Sequence, residues 1–106
     1  MTIAEVTPGV CGLGTLVVAT HDETTGQVSL VLETDCAAIR RLAAVLTAVD
    51  AYQTAFTPAP GNPVYVAAGE ARLHPSCALP TAIIKAVEVA AGLALPRDVT
   101  IRLTKS

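Results

Sequence analysis

Charged and aromatic side chains are what this sequence has least of. Of its 106 residues, 15% are charged and 3% aromatic, and tryptophan is absent. An average soluble chain carries about 25% charged residues. The formal net charge is −2, with an isoelectric point near 5.5, which excludes a strongly basic nucleic-acid clamp. Single-strand readers need aromatic stacking platforms, and Tyr52, Phe56 and Tyr65 are too few and too scattered to make one. No uninterrupted apolar run is long enough to cross a membrane. The uncharged stretch from Ala51 to Gly69 has the length, but Pro58, Pro60, Gly61, Asn62 and Pro63 break it. No basic region precedes an apolar run near Met1, and Glu5 stands where a secretory leader is apolar, so the expected location is the cytoplasm. Three cysteines are present, and an odd number in a reducing compartment argues against a disulfide framework.

What is abundant is small and apolar. The apolar fraction is 52% and nineteen residues are alanine, a composition that folds rather than remaining disordered. The length suits one domain with one modest core, so residues 1–106 are read as a single unit.

Patterning predicts an α+β fold. Ile3, Ala4 and Val6 suit a short first strand, and Thr7-Pro8-Gly9 a turn. Leu13 to Thr20 and Gln27 to Thr34 suit the two arms of a hairpin joined by the polar loop His21 to Gly26. Val28, Leu30 and Leu32 face one way while Ser29 and Glu33 face the other, whereas adjacent Val17 and Val18 predict burial on both sides of their strand. A helix begins near Cys36, capped by Thr34 or Asp35, with Ile39, Leu42, Leu46 and Val49 at helical spacing and Val45 widening the stripe. Thr57 to Pro63 is the one loop cluster. Asn62 before Pro63 suits the cap of a short helix over Val64 to Glu70, with Val64-Tyr65-Val66 as a strand the alternative. A longer helix follows Pro80 and ends at Gly92, carrying Ile83, Ile84, Val87 and Ala91 on one face. Val99, Ile101 and Leu103 alternate with Thr100, Arg102 and Thr104, which predicts a final strand. The expected order is a three-stranded antiparallel sheet, then helices, then that strand.

The candidate chemistry lies with the cysteines. Cys11 sits in a turn before a strand, Cys36 at the start of a helix, and Cys77 between Pro75 and Pro80 ahead of another helix. None occupies the middle of an apolar stripe. Helix N-termini favour thiolates, and thiolates bind soft metals and iron–sulfur clusters. His74 stands three residues before Cys77, so three cysteines and one histidine make a sufficient set for zinc or a cluster. Each cysteine also has a plain reading as a small buried hydrophobe. His21 beside Asp22, the pair Arg40-Arg41, and Lys85 read as solvated positions. Cys11-Gly12-Leu13-Gly14 is not a phosphate loop, because it precedes a strand instead of opening a helix.

This arrangement resembles the iron–sulfur cluster scaffold proteins of the IscU/NifU type. Their first ligand cysteine precedes a strand, as Cys11-Gly12 does. Their second opens a helix, as Cys36-Ala37-Ala38-Ile39 does. Their third follows a histidine into a late helix, as His74-Pro75-Ser76-Cys77 does. The separations of 25 and 41 residues between successive cysteines are similar too. The chain differs in having Leu13 where those scaffolds have aspartate, and in the two residues between His74 and Cys77. The Ser76-Cys77 segment is similar to TSCPD-type domains. The run from Ile84 to Pro96 looks like an uncharacterised family of small domains, mostly from anaerobes, that share three cysteines and a histidine.

The resemblance implies an IscU-like fold holding an iron–sulfur cluster, or alternatively zinc, through Cys11, Cys36 and Cys77. His74 would be a fourth ligand or a nearby proton donor, and a donor or acceptor of clusters or sulfur the partner. The competing expectations are a sulfur carrier or thiol enzyme using Cys36, and an interaction domain with inert cysteines. Low charge and abundant alanine favour a homo-oligomer.

Overall fold

The computed structural model describes residues 1–106. Four strands, β1 (Thr2–Val6), β2 (Thr15–Asp22), β3 (Gln27–Thr34) and β4 (Ala48–Asp50), form one antiparallel sheet in the order β1-β2-β3-β4. Four helices, α1 (Ala37–Val45), α2 (Ala51–Phe56), α3 (Pro63–Glu70) and α4 (Leu79–Ala90), complete an α+β fold.

Strand pairing follows the period-two pattern. The register Ala4↔Val17↔Leu32 points one row inward, and Ile3↔Val18↔Val31 points the next outward. Val17, Ala19, Val28 and Leu30 are buried on the inner face, against which α4 packs over β1 and β2, and α1 over β3. The outer face has no helix on it: Leu16 and Val18 are half-buried, and Ile3 and Val31 are more than half exposed. β2 is therefore covered on one side only. Its two adjacent valines reflect an apolar outer row, not a second layer.

The core consists of small and branched aliphatic side chains, among them Ile39, Leu42, Val64, Leu79, Ile83, Ala86 and Val87, with no aromatic ring. Two of the aromatics instead stack on each other at the surface, Tyr52 and Phe56 on α2, with ring centroids 6.2 Å apart.

Three sequence expectations are corrected. The stripe Ile39-Leu42-Leu46-Val49 is not one helix. α1 stops at Val45, Leu46 takes φ −102° and ψ 76°, and Val49 reaches the core from β4, opposite Val28. Val45 is exposed. The short helix α2 follows directly, capped by Asp50, whose carboxylate accepts from the Gln53 N–H at 2.9 Å. Helical spacing and an inward strand residue buried the same four side chains, so periodicity alone did not separate them. Finally, Val99 to Leu103 forms no strand. Val99, Ile101 and Leu103 are 57%, 75% and 90% exposed and pair with no strand of this chain, since alternation marks a segment that can pair without supplying the edge it pairs with.

Asn62 ties the helical layer together. It caps α3 by accepting from the Val64 N–H at 3.0 Å, as the Asn-Pro pair predicts. Its amide also donates to the carbonyls of Thr54 and Thr57, at 2.7 and 2.9 Å, which closes the end of α2. The residue is 2% exposed, so these bonds are made out of water. Beside it, Thr54 Oγ1 is buried with no partner. Asn62→Ala should therefore cost about 2–4 kcal/mol in urea unfolding, with Asn62→Asp still destabilising because it keeps the acceptor and loses both donors. Thr54→Val should be neutral or gain about 1 kcal/mol; a loss comparable to Asn62→Ala would show that the Thr54 hydroxyl is engaged.

The β2–β3 turn is polar and its electrostatics are local. The backbone N–H of Thr24 donates to Asp22 at 2.9 Å and holds this carboxyl below the usual aspartate range, aided by the Thr24 hydroxyl and by the N–H and hydroxyl of Thr25. A lowered folded-state value means the contribution is present above the ordinary pKa and is lost as pH falls through the folded one. In an NMR titration, the Thr24 amide signal should move at a pH below that of an unperturbed aspartate, about 3.9. Asp22→Asn should abolish the movement; an unchanged titration in that variant would assign it to another group.

Candidate functional site

Pairing places two of the three cysteines at one end of the sheet. Val6 pairs with Thr15, and Thr15 with Thr34, so the β1–β2 and β3–α1 connections leave the same edge of the ladder. Cys11 lies in the first connection, in a single 3-10 turn over Gly9–Cys11 closed by the Gly12 N–H on the Gly9 carbonyl at 3.1 Å. Gly12 takes φ +68°, where glycine is tolerated without strain. The Cys11 side chain is exposed.

Cys36 is held more firmly. Thr15 Oγ1 donates to Thr34 Oγ1 at 3.1 Å, and Thr34 Oγ1 accepts from the Cys36 N–H at 3.0 Å. This relay sets Cys36 as the N-cap of α1, in extended conformation, with the Arg40 N–H on its carbonyl at 2.9 Å. Thr34 and Asp35, the expected caps, lie before the cap position. No side chain bonds the first-turn N–H groups, and the half-buried thiol occupies the place where serine, threonine or aspartate usually caps.

His74 and Cys77 form the third arm. The Cys77 N–H donates to the His74 carbonyl at 3.0 Å, so the two belong to one turn. Both line a shallow cleft of about 190 Å³ with Tyr65, Leu73, Pro75 and Pro80. The end of α3, three residues before His74, is fastened to α1: Arg41 Nε donates to the Ala71 carbonyl at 3.0 Å. Arg41 is five residues beyond Cys36 in sequence, a rise of roughly 7.5 Å along a helix. Arg41 is thus more than the solvated position its sequence context implied. Arg40 stays at the surface, its Nε donating to the Thr34 carbonyl at 3.2 Å and its Nη2 reaching exposed Asp35 at 3.5 Å, and Lys85 is exposed as expected. His21 lies half-buried within β2 and not in the turn.

The structure brings Cys11 and Cys36 to one end of the sheet, and His74 and Cys77 to one cleft. It gathers no group of three or more His, Cys, Asp or Glu side chains able to hold a metal ion. Three free thiols and an imidazole suit a soft centre chemically, but in this arrangement they do not form a closed ligand sphere. No helix is long and apolar enough to cross a membrane.

One feature was not anticipated from sequence. Beside Cys36 the sheet end opens into a groove of about 460 Å³ lined by Glu5, Glu33, Asp35, Thr15 and Thr34. Its signal was available: residues 1–36 contain five of the nine carboxylates and no lysine or arginine. Only the register shows that Glu5, far in sequence from Glu33 and Asp35, shares one end with them.

Thr34→Val removes the acceptor for the Cys36 N–H and the partner of Thr15. It should cost about 1–3 kcal/mol, with Thr34→Ser losing less than half as much. Equal losses in denaturant unfolding would show that the threonine methyl, not the relay, matters.

Residues 2–103 match the model described as Family of unknown function (DUF6951). No curated protein and no solved structure matches the chain.

Proposed function

Because the chain belongs to the family DUF6951, to which no activity is attached, we propose a function from its side chains: a small carrier whose cargo is a thiolate-bound metal centre, an iron–sulfur cluster in preference to zinc. Cys11, Cys36 and Cys77 would be the ligands, with His74 a fourth ligand or a nearby proton donor. The observation that carries this reading is the placement of all three free thiols in connections instead of the core. An inert-cysteine domain has no need of that placement.

Two further features support it. The acid-lined groove beside Cys36 favours the approach of metal cations. The likeness to IscU/NifU-type scaffolds, in the order of strand, helix-opening and histidine-preceded cysteines, points to the same cargo. The absence of a preformed ligand sphere fits a cargo that is loaded and passed on better than a permanent structural ion, which closes its own sphere. Loading requires the turn carrying Cys11, set between Gly9 and Gly12, to close on the other thiols.

A second reading has its own observation. The N-cap position of Cys36 suits a nucleophilic thiol, so a sulfur carrier or thiol enzyme would depend on this residue alone. Partners would then be sulfur donors or acceptors.

Anaerobic purification from cells supplied with iron and cysteine separates the two. Iron and acid-labile sulfide should accompany the wild-type chain and fall at least severalfold in both Cys36→Ser and Cys77→Ser, with the charge-transfer absorption of the cluster lost in parallel. Metal-free wild type with persulfide on Cys36 would overturn the proposal in favour of the second reading. Metal-free wild type whose three thiols alkylate no faster than in a denatured sample would overturn both.

A further inference from the structure

The segment after α4 is the largest unexplained part of the molecule. The chain turns at Gly92, with φ +75°, and from Ala94 onward every residue is exposed, including Leu95, Val99, Ile101 and Leu103. The molecule measures 49 × 27 × 24 Å, about twice as long as it is wide. Alternation of Val99, Ile101 and Leu103 with Thr100 and Arg102 is the pattern of a strand with one buried face. Across the fold, β1 pairs only with β2, which leaves its other edge open. An open edge exposes unpaired N–H and C=O groups and accepts another strand.

We propose that residues Val99–Leu103 of one copy add to the free edge of β1 in a second copy, so that two chains exchange these segments and form a homodimer. Three observations specify this occupant. First, the lengths agree: β1 has five residues, as does the span 99–103. Second, the faces agree. With Val99, Ile101 and Leu103 turned inward they extend the row of half-buried Ala4 and Val6, on the face where α4 packs over β1. The same orientation turns Arg102 outward, to the face that carries Glu5. Third, the charges agree. Residues 1–36 hold five carboxylates and no cation, whereas residues 94–106 hold three of the seven basic residues and a single acid, Asp98. A second copy therefore supplies a strand of the right length, pattern and sign.

The full chain, measured by light scattering after size exclusion, should have the mass of two chains. Deleting residues 97–106 should give a folded monomer that keeps its helical circular-dichroism signal, since none of these residues enters the core. Glu5→Lys should weaken the dimer about tenfold, and adding Arg102→Glu should regain most of that loss. Hydrogen exchange should show β1 amides protected in the full chain and freed by the deletion. A monomeric full chain, a dimer that survives the deletion, β1 protection that ignores it, or a charge swap without regain would each overturn the proposal. A monomer with β1 protected would mean that the segment folds back on its own sheet.

Discussion

A core without aromatic rings has to be made by close approach, and that constraint governs this fold. Large rings fill the space between layers that stand apart, whereas alanine and valine fill it only when backbones come near. Here Ala86, Ile83 and Val87 of α4 meet Val17 and Ala19 of β2, and Ala51, Ala68 and Ala71 are buried in the helical layer. The connections of the helical layer are held by specific bonds in place of bulk. Asn62 closes α2 onto α3, Arg41 fastens α1 to the end of α3, and the Thr15–Thr34 relay seats the start of α1. Each of these acts at a connection, where small side chains bury the least apolar area and a buried hydrogen bond has the most to contribute.

The same constraint explains where the thiols are. Cysteine packs well as a small hydrophobe, and a core of alanine and valine would readily accept it. Instead Cys36 and Cys77 only border the core, and Cys11 is outside it. The residues that join the connections to the body therefore also position the thiols. Cys36 is set by Thr34, and Arg41 holds the end of α3, from which the chain leads to the turn of Cys77. A stability determinant and a site determinant coincide at these points, so substitutions there change both together.

Much of this was legible in the sequence because local chemistry decides it. The limits of β3, the Asn62 cap and the proline in the first turn of α4 follow from pattern and capping alone. β4 and α2 were not legible, because Val49 satisfies a helical stripe and an inward strand position equally well. The exposed state of Val99 to Leu103 was not legible either: alternation shows that a segment can pair but not with which edge. For the candidate site, the sequence placed Cys11, Cys36 and Cys77 at element boundaries, which is where they lie. It was silent on how far apart those boundaries are in space, and equally on the acid groove, whose three carboxylates come from β1, β3 and the β3–α1 connection.

Charge was the most informative non-local signal, although its total is nearly zero. A net charge of −2 conceals a division in which residues 1–36 carry only acids and the segment after α4 is basic. Because three of those acids, Glu5, Glu33 and Asp35, lie at β1 and at the sheet end bearing Cys36, two consequences follow from one asymmetry. The edge of β1 becomes attractive to a basic strand, and the thiol end becomes attractive to cations. These ends are adjacent, since the β1–β2 connection that carries Cys11 begins where β1 finishes. A strand added along β1 would narrow the freedom of that connection and place Arg102 near Glu5, neutralising part of the groove's field. Strand addition and the capture of a cation at the thiol end thus draw on the same carboxylate, and each weakens the attraction available to the other.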